Sequence, residues 1–449
     1  MKTQRALSAF LGKHGFDAGG LNLGALTDSI LYDMETGLGS SRSPSSLDMI
    51  PTWTAPGAER IRNTRVIAID AGGTNLRSAL VDFDGGGRAT VSSVQKTGMP
   101  GRDRIYSRGE FFDALAAGLD RLKDASPRIG FCFSYAMAIT PDEDGRVIQF
   151  SKEILAPEVV GAPVGACLAE ALHRRGWGPV EKITLINDTK AALLSGAAAA
   201  PGGAEYSSYV GFILGTGLNA AYIEKEPIPK VLEIEGPGVI PPRQVVVCES
   251  GKFSRAPQSD FDRVLDAGTA TPGSYLLEKM CSGAYLGTLA SVALRAASAE
   301  GLFSPALGRA LSDPSFTLKD VDQFLWFPRD KQGPLGRAAA LGTEEDYAAL
   351  YLLLDSLVDR AARIAASVIA AAVIKSGEGK NPSRPVCVTP EGTVVHRTHR
   401  LKERLLAYLW ELLRERGRSF DMLTPEDSIT LGAAIAACSG PSGGFRGRC

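Results

Sequence analysis

Two stretches of this chain repeat one pattern, and together they restrict its fold more than any other feature. Val66-Ile67-Ala68-Ile69 runs into Asp70-Ala71-Gly72-Gly73-Thr74-Asn75-Leu76-Arg77, and a second apolar run, Ser78 to Phe83, stops at Asp84-Gly85-Gly86-Gly87. Far downstream, Val210-Gly211-Phe212-Ile213-Leu214 leads through Gly215-Thr216-Gly217 into Leu218-Asn219-Ala220-Ala221-Tyr222-Ile223. β-formers, a glycine turn and more β-formers spell a hairpin. Two such hairpins, each opening a half of the chain, suggest an internal duplication with both turns facing a shared cleft. Glycines let the backbone approach an anion closely, with amide hydrogens and the Thr74 hydroxyl aimed into the first turn. Asp70 adds a carboxylate suited to a hydrated divalent ion bridging to phosphate. No Gly-Lys-Ser/Thr follows and the next element is a strand, so this is not a P-loop. Tight-turn chemistry alone would explain either glycine pair, and the rest of the chain has to decide.

At 449 residues the chain is long enough for about two or three domains. A net charge of −1 supplies no basic field for nucleic acid. Seven cysteines without CxxC pairs and only four histidines argue against a zinc site or a disulfide framework, and suit a reducing, cytoplasmic setting. The N-terminus leads into an amphipathic segment, so no signal peptide is expected. The richest apolar stretch, Ala361 to Ile374, is interrupted by Arg363 and is too short to span a bilayer, so it is expected to be a core helix and no membrane contact is expected.

In the first half, apolar strands end in small and polar residues. Ile129 to Phe133 ends at Ser134, Val147 to Phe150 at Ser151-Lys152, and Ile183 to Ile186 at Asn187-Asp188-Thr189. Ligands in open α/β sheets sit at such carboxyl ends. In the second half, Val245 to Cys248 ends in the carboxylate Glu249. A helix expected to open after Pro272-Gly273 carries Glu278, and Pro385 to Thr389 turns at Glu391-Gly392-Thr393. The small-residue run Asp427 to Ala437 is expected to be a helix capped by Asp427 or Ser428. Residues 439–449 are expected to form a disordered tail.

These blocks, in this order, resemble the hexokinase/glucokinase family of the actin-like ATPase, sugar kinase superfamily. Asp70 to Arg77 looks like its first phosphate motif and Leu214 to Asn219 like its second. Ser45 to Trp53 is similar to the segment before its first hairpin, and Phe131 to Ser134 to its sugar-loop strand. Pro272-Gly273, Glu278-Lys279-Met280 and Ser282 to Gly287 follow its later blocks. The resemblance implies an α/β chain with an actin-like, ribonuclease H-like fold of two domains around a cleft, each a mixed five-stranded sheet flanked by helices. The small domain would be 63–188 plus 425–438, and the large one 1–62 plus 189–424.

The implied activity is ATP-dependent phosphorylation of a hexose, most readily D-glucose, at its 6-hydroxyl, the first step of glycolysis. Asp188 would be the catalytic base, and Lys152 would reach the sugar and the transferred phosphoryl group. Ser134, Ser151, Lys152, Asn187, Asp188, Asn219, Glu249 and Glu278 match sugar-contacting positions. Asp70, Gly72, Gly73, Thr74, Asn75 and Arg77 would handle phosphate and Mg2+ on one side, Asp70 through water. Gly215, Thr216 and Gly217 would do so on the other, with Gly283, Gly392 and Thr393 nearer the nucleotide. The implied partners are a sugar and MgATP, with the protein a monomer or homodimer. Departures from the family pattern include Ser250 where it carries tryptophan after the Glu249 match, Tyr135-Ala136-Met137 after Ser134, Glu153-Ile154 after Lys152, and Leu431 for a lysine. They leave open another hexose such as mannose, fructose or an amino sugar. A non-catalytic sugar sensor on the same fold is the other alternative.

Overall fold

The computed structural model describes residues 2–54, 61–72, 75–140, 142–150, 154–199, 205–235 and 243–439. After helices Lys2–Lys13 and Leu23–Gly39 comes β1 (Ile50–Pro51), a two-residue edge strand that tolerates its proline because one side is unpaired. A meander follows: β2 (Thr64–Gly72), β3 (Asn75–Phe83) and β4 (Ala89–Gly98). Then come β5 (Arg128–Phe133), the short hairpin β6 (Ala136–Ile139) and β7 (Gly145–Gln149), and β8 (Lys182–Ile186). The first sheet has the order β4-β3-β2-β5-β8, antiparallel on the meander side and parallel from β2 to β8.

The second half repeats this. β9 (Ser208–Leu214), β10 (Leu218–Glu224) and β11 (Gln244–Val247) form the meander, and β12 (Val386–Glu391) and β13 (Phe420–Met422) run parallel to β9. The order is β1-β11-β10-β9-β12-β13. The duplication read from the two glycine hairpins is thus a duplication of topology. The second sheet has six strands rather than the expected five because β1 adds to the edge of β11.

β2 shows why the apolar run is continuous rather than alternating: both its faces are covered. Ile67, Ile69 and Ala71 join Phe111, Phe112 and Leu115 of helix Arg108–Ala117 and Leu168 of helix Val164–Arg174. Val66 and Ala68 face the opposite way, into a core shared with the C-terminal helix Ser428–Cys438. In the second half the 32-residue helix Glu344–Lys375 is the spine of the largest core, and the Ala361 to Ile374 stretch lies inside it.

Each half ends in a helix that leaves its own sheet. Helix Asp188–Ala199 follows β8 but packs on β9, β10 and β12, and the C-terminal helix follows β13 but packs on β2, β5 and β8. The two helices also pack on one another. Their small residues are required by that closeness. A Cβ on Gly432 would run into the Ala191 carbonyl, and one on Gly130 of β5 into the Ala433 carbonyl. Asp427 does occupy the N-cap position of the C-terminal helix, but at φ 51° and without a capping hydrogen bond; its carboxylate takes Arg77 instead. Ser439, expected to begin the disordered tail, is placed at the end of that helix, its hydroxyl donating to the Ile435 carbonyl. Residues 440–449 lie outside the described part. No helix among the described residues is long and apolar enough to cross a membrane.

Candidate active site

Strand register gathers the first group of expected residues. β2, β5 and β8 are parallel neighbours, with Asp70 opposite Cys132 and Cys132 opposite Ile186. Asp70, Ser134 and Asn187-Asp188 therefore emerge side by side at one carboxyl edge, roughly 5 Å per strand step. Ser134 donates its backbone N–H to the Ala71 carbonyl, which fixes its side chain beside the first glycine turn. A Cβ on Gly72 would stand 3.5 Å from the Ser134 hydroxyl and 3.6 Å from an Asp70 carboxylate oxygen, so the three converge. Gly72 pairs with Asn75 and Asp70 with Arg77 across the hairpin. Arg77 also binds Asp427 at 2.5 Å, tying the first hairpin to the start of the C-terminal helix. Gly73, Thr74, Ser151 and Lys152 lie outside the described residues.

Asp188 is the first residue of its helix, half-buried, and one carboxylate oxygen accepts from the Thr189 N–H at 2.7 Å. The same N–H is shared with the Asn187 amide oxygen at 2.7 Å, so the two side chains are braced against one backbone group.

The second group comes from the other half. The Asn219 amide oxygen accepts from the backbone of Ala220 at 2.8 Å and Ser250 at 3.2 Å. Its NH2 is thereby turned towards Glu249, to which it donates at 2.8 Å. Glu249 sits in the left-handed region at φ 58°, a conformation that costs a non-glycine residue about 1–3 kcal/mol and clusters at functional sites. Burial, reinforced by the carboxylates of Asp48 and Asp188, pushes its carboxyl up to about 7 against the pull of Lys252 and the Asn219 hydrogen bond. Asp188 and Glu249 are therefore close enough to feel one another. Glu278 accepts from the Leu218 N–H at 2.9 Å. Gly217 and Gly251 make room for it, since a Cβ on either would come within 2.6 and 3.0 Å of a Glu278 oxygen.

The third group lines the second glycine turn. Thr216 is exposed at its tip, and the Gly283 N–H donates to the Gly215 carbonyl at 2.8 Å. Gly392, at φ 115°, follows β12 with its Cα 3.5 Å from where a Cβ on Gly215 would be, and Thr393 comes next at the start of helix Thr393–Arg397. Only glycine fits at 392, because a Cβ there would strike the Leu214 carbonyl.

Several supporting groups were not anticipated from the sequence. Lys252 pairs with Asp48 at 2.5 Å beside Glu249 and lies 5.5 Å over the Tyr275 ring. The Tyr275 hydroxyl is raised by burial and by Glu249 and Glu278, which puts it near both carboxylates. Lys279, buried, donates to Asp266, Thr269 and the Thr271 carbonyl, pinning the preceding loop to the helix that carries Glu278. Lys252, three residues beyond Glu249, offered a local signal; Asp48 offered none.

An edge of amides and carboxylates matches a polyol, whose hydroxyls each donate and accept. Glycine turns on either side offer backbone donors to phosphate. Among the described residues no three His, Cys, Asp or Glu side chains cluster for a metal ion. Asp70 as a single carboxylate fits a hydrated ion whose other ligands are phosphate oxygens and water.

Comparison with known proteins identifies the family. Two family models, both described as hexokinase, match residues 13–198 and 209–439. Hexokinase-1 of Schizosaccharomyces pombe is 27% identical over 432 residues, covering 92% of this chain and 86% of that protein. Hexokinase-2 of Rattus norvegicus is 28% identical over 435 residues, 90% of this chain but 45% of that protein, so the chain spans about half the length of the rat relative. Among solved structures, a hexokinase from Schistosoma mansoni complexed with glucose superposes with a TM-score of 0.74 at 25% identity, covering 98% of this chain and all of that one. The boundary between the two matched segments falls between the paired crossing helix of the first half and β9, where the topology starts its second copy. The chain belongs to the hexokinase family, enzymes that phosphorylate a hexose at the expense of ATP.

Proposed function

We propose that the chain transfers the γ-phosphoryl group of MgATP to the 6-hydroxyl of a hexose, D-glucose foremost, giving hexose 6-phosphate and ADP. The observation that carries this reading is Asp188 at a helix start within electrostatic reach of the Asn219–Glu249 pair. Phosphoryl transfer needs mainly positioning, charge stabilisation and one carboxylate to accept the proton of the attacking hydroxyl. In this reading Asp188 is that base. Asn187, Ser134, Asn219, Glu249 and Glu278 hold the remaining hydroxyls, with Ser151 and Lys152 completing the sugar side. The turn at Gly215-Thr216-Gly217 donates to phosphate, and Gly283, Gly392 and Thr393 border the nucleotide. Gly72, Gly73, Thr74, Asn75 and Arg77 act on the opposite side of the phosphates, with Arg77 also held by Asp427. A magnesium ion held through water by Asp70 would offset charge on the transferred group. Closure of the two halves about the paired crossing helices excludes water, so ATP is not simply hydrolysed.

The glucose-complexed neighbour supports glucose as the substrate. Another hexose is the second reading, favoured by Ser250 and by the Tyr275 ring and Lys252 next to Glu249. The test measures ADP formation over glucose, mannose, fructose and glucosamine with ATP, and locates the phosphate by 31P NMR. The expected outcome is the highest kcat/KM with glucose and phosphate on O6. A higher value with another hexose overturns glucose, and no ADP with any hexose overturns the kinase reading in favour of a sensor.

A further inference from the structure

A second polar cluster lies where the two halves join, apart from the residues assigned above to sugar and phosphate. Lys190 is 0% exposed, Thr54 1% and Glu143 2%. The Lys190 ammonium donates to the Thr54 hydroxyl, which donates to Glu143 at 2.7 Å. The other Glu143 oxygen takes Lys182, and Lys182 reaches the Ser439 carbonyl at 3.3 Å.

Each member comes from a different crossing or sheet. Thr54 ends the strand-like run beside β11, its carbonyl accepting from Val245 at 3.1 Å, just before the chain passes towards the first sheet. Glu143 sits in the β6–β7 turn at φ 62°, its carbonyl accepting from Leu185 of β8 at 2.9 Å. Lys182 opens β8, Ser439 ends the C-terminal helix, and Lys190 is in the first turn of the helix that Asp188 begins.

A buried ion cluster is a poor source of stability, because desolvating each charge costs several kcal/mol that pairing only partly returns. Here burial, and next the Lys182 charge, work against the ammonium while Glu143 supports it, and the balance lowers Lys190 to about 8. Glu143 and Lys182 are the charged groups that bear on it. A lysine kept at that cost two residues from Asp188 fits a role other than stability.

We propose that Lys190 is a positioning residue for phosphoryl transfer: through Thr54 and Glu143 it latches the first turn of the Asp188 helix to both halves, holding the base in place when the cleft closes. The proposal rests on Asp188 as the base. The latch requires the ammonium, so turnover falls as pH rises through about 8. The stability linkage has the opposite sign. A lysine lowered in the folded state leaves the unfolded chain binding more protons between about 8 and 10.5, so this group adds stability as pH rises over that window.

The test compares wild type, Lys190→Met, Thr54→Val and Asp188→Asn in kcat, KM for the hexose, thermal midpoint and the pH profile of kcat. The expected result for Lys190→Met is kcat reduced at least fivefold, sugar KM within threefold, an unchanged or higher thermal midpoint, and no alkaline limb near pH 8. Thr54→Val should show the same kcat loss, and it decides alone if Lys190→Met yields no soluble protein. Wild-type kcat and pH profile in these variants would overturn the latch. So would kcat and thermal midpoint falling together in Lys190→Met, which marks mere packing. Retained turnover in Asp188→Asn would instead overturn the base assignment, leaving the two failures distinct.

Discussion

At the scale of single residues, the site is governed by what each carboxylate is next to. Glu249 is held in a left-handed conformation, half-buried with its carboxylate desolvated, and faced by Asp48 and Asp188, so its carboxyl is pushed up to about 7 from the usual carboxylate range. A sugar hydroxyl is best accepted by the ionised form. We expect kcat/KM for the hexose to fall as pH drops below about 7, and Glu249→Gln to be low throughout with that limb gone. A wild-type profile flat from pH 6 to 8 would contradict this. Stability runs the other way. The folded-state value lies above the ordinary 4.5, so the contribution from this group is complete below 4.5 and is lost as pH rises through about 7. Asn219 sets the geometry: two backbone donors occupy its oxygen, leaving only its NH2 for Glu249.

At the scale of elements, the paired crossing helices decide how the halves meet. Gly432 and Ala191 let them touch backbone to backbone. Gly432→Val forces them apart, and overpacking of this kind destabilises by about 1–3 kcal/mol. Chemical denaturation should show that loss, whereas a loss under about 0.5 kcal/mol would contradict the close packing. Such elements were largely legible in the sequence. An apolar run followed by Asn187-Asp188 or Gly215-Thr216-Gly217 announces a strand end, because only polar or glycine residues tolerate that exposed, sharply turning position. What the pattern could not carry was pairing at a distance. Asp48 and Lys252 are 204 positions apart and Thr54 and Lys190 136, and nothing in local periodicity links them. Asp427 shows the same limit. Its place before the C-terminal helix was readable, but its bond to Arg77, 350 positions away, replaced the capping bond that local sequence suggests.

At the scale of the whole molecule, two copies of one sheet topology are joined through helices that each half lends to the other. The duplication was visible in the hairpins alone. That each closing helix packs on the opposite sheet was not readable from the residues, since a run of small residues states how closely a helix packs but not on what; only the family resemblance grouped 425–438 with the first half and the helix after Asp188 with the second. On the reading proposed above, hydroxyl recognition and phosphate binding draw on both halves, and proton acceptance falls to one residue, Asp188. The most direct measurement is turnover and hexose binding in Asp188→Ala, by coupled ADP release and by isothermal calorimetry without nucleotide. The account predicts turnover reduced at least a thousandfold with the hexose Kd within about tenfold, because a lost general base and its positioning remove transition-state rather than ground-state interactions. Turnover within tenfold of wild type in a variant that still binds the hexose would contradict it.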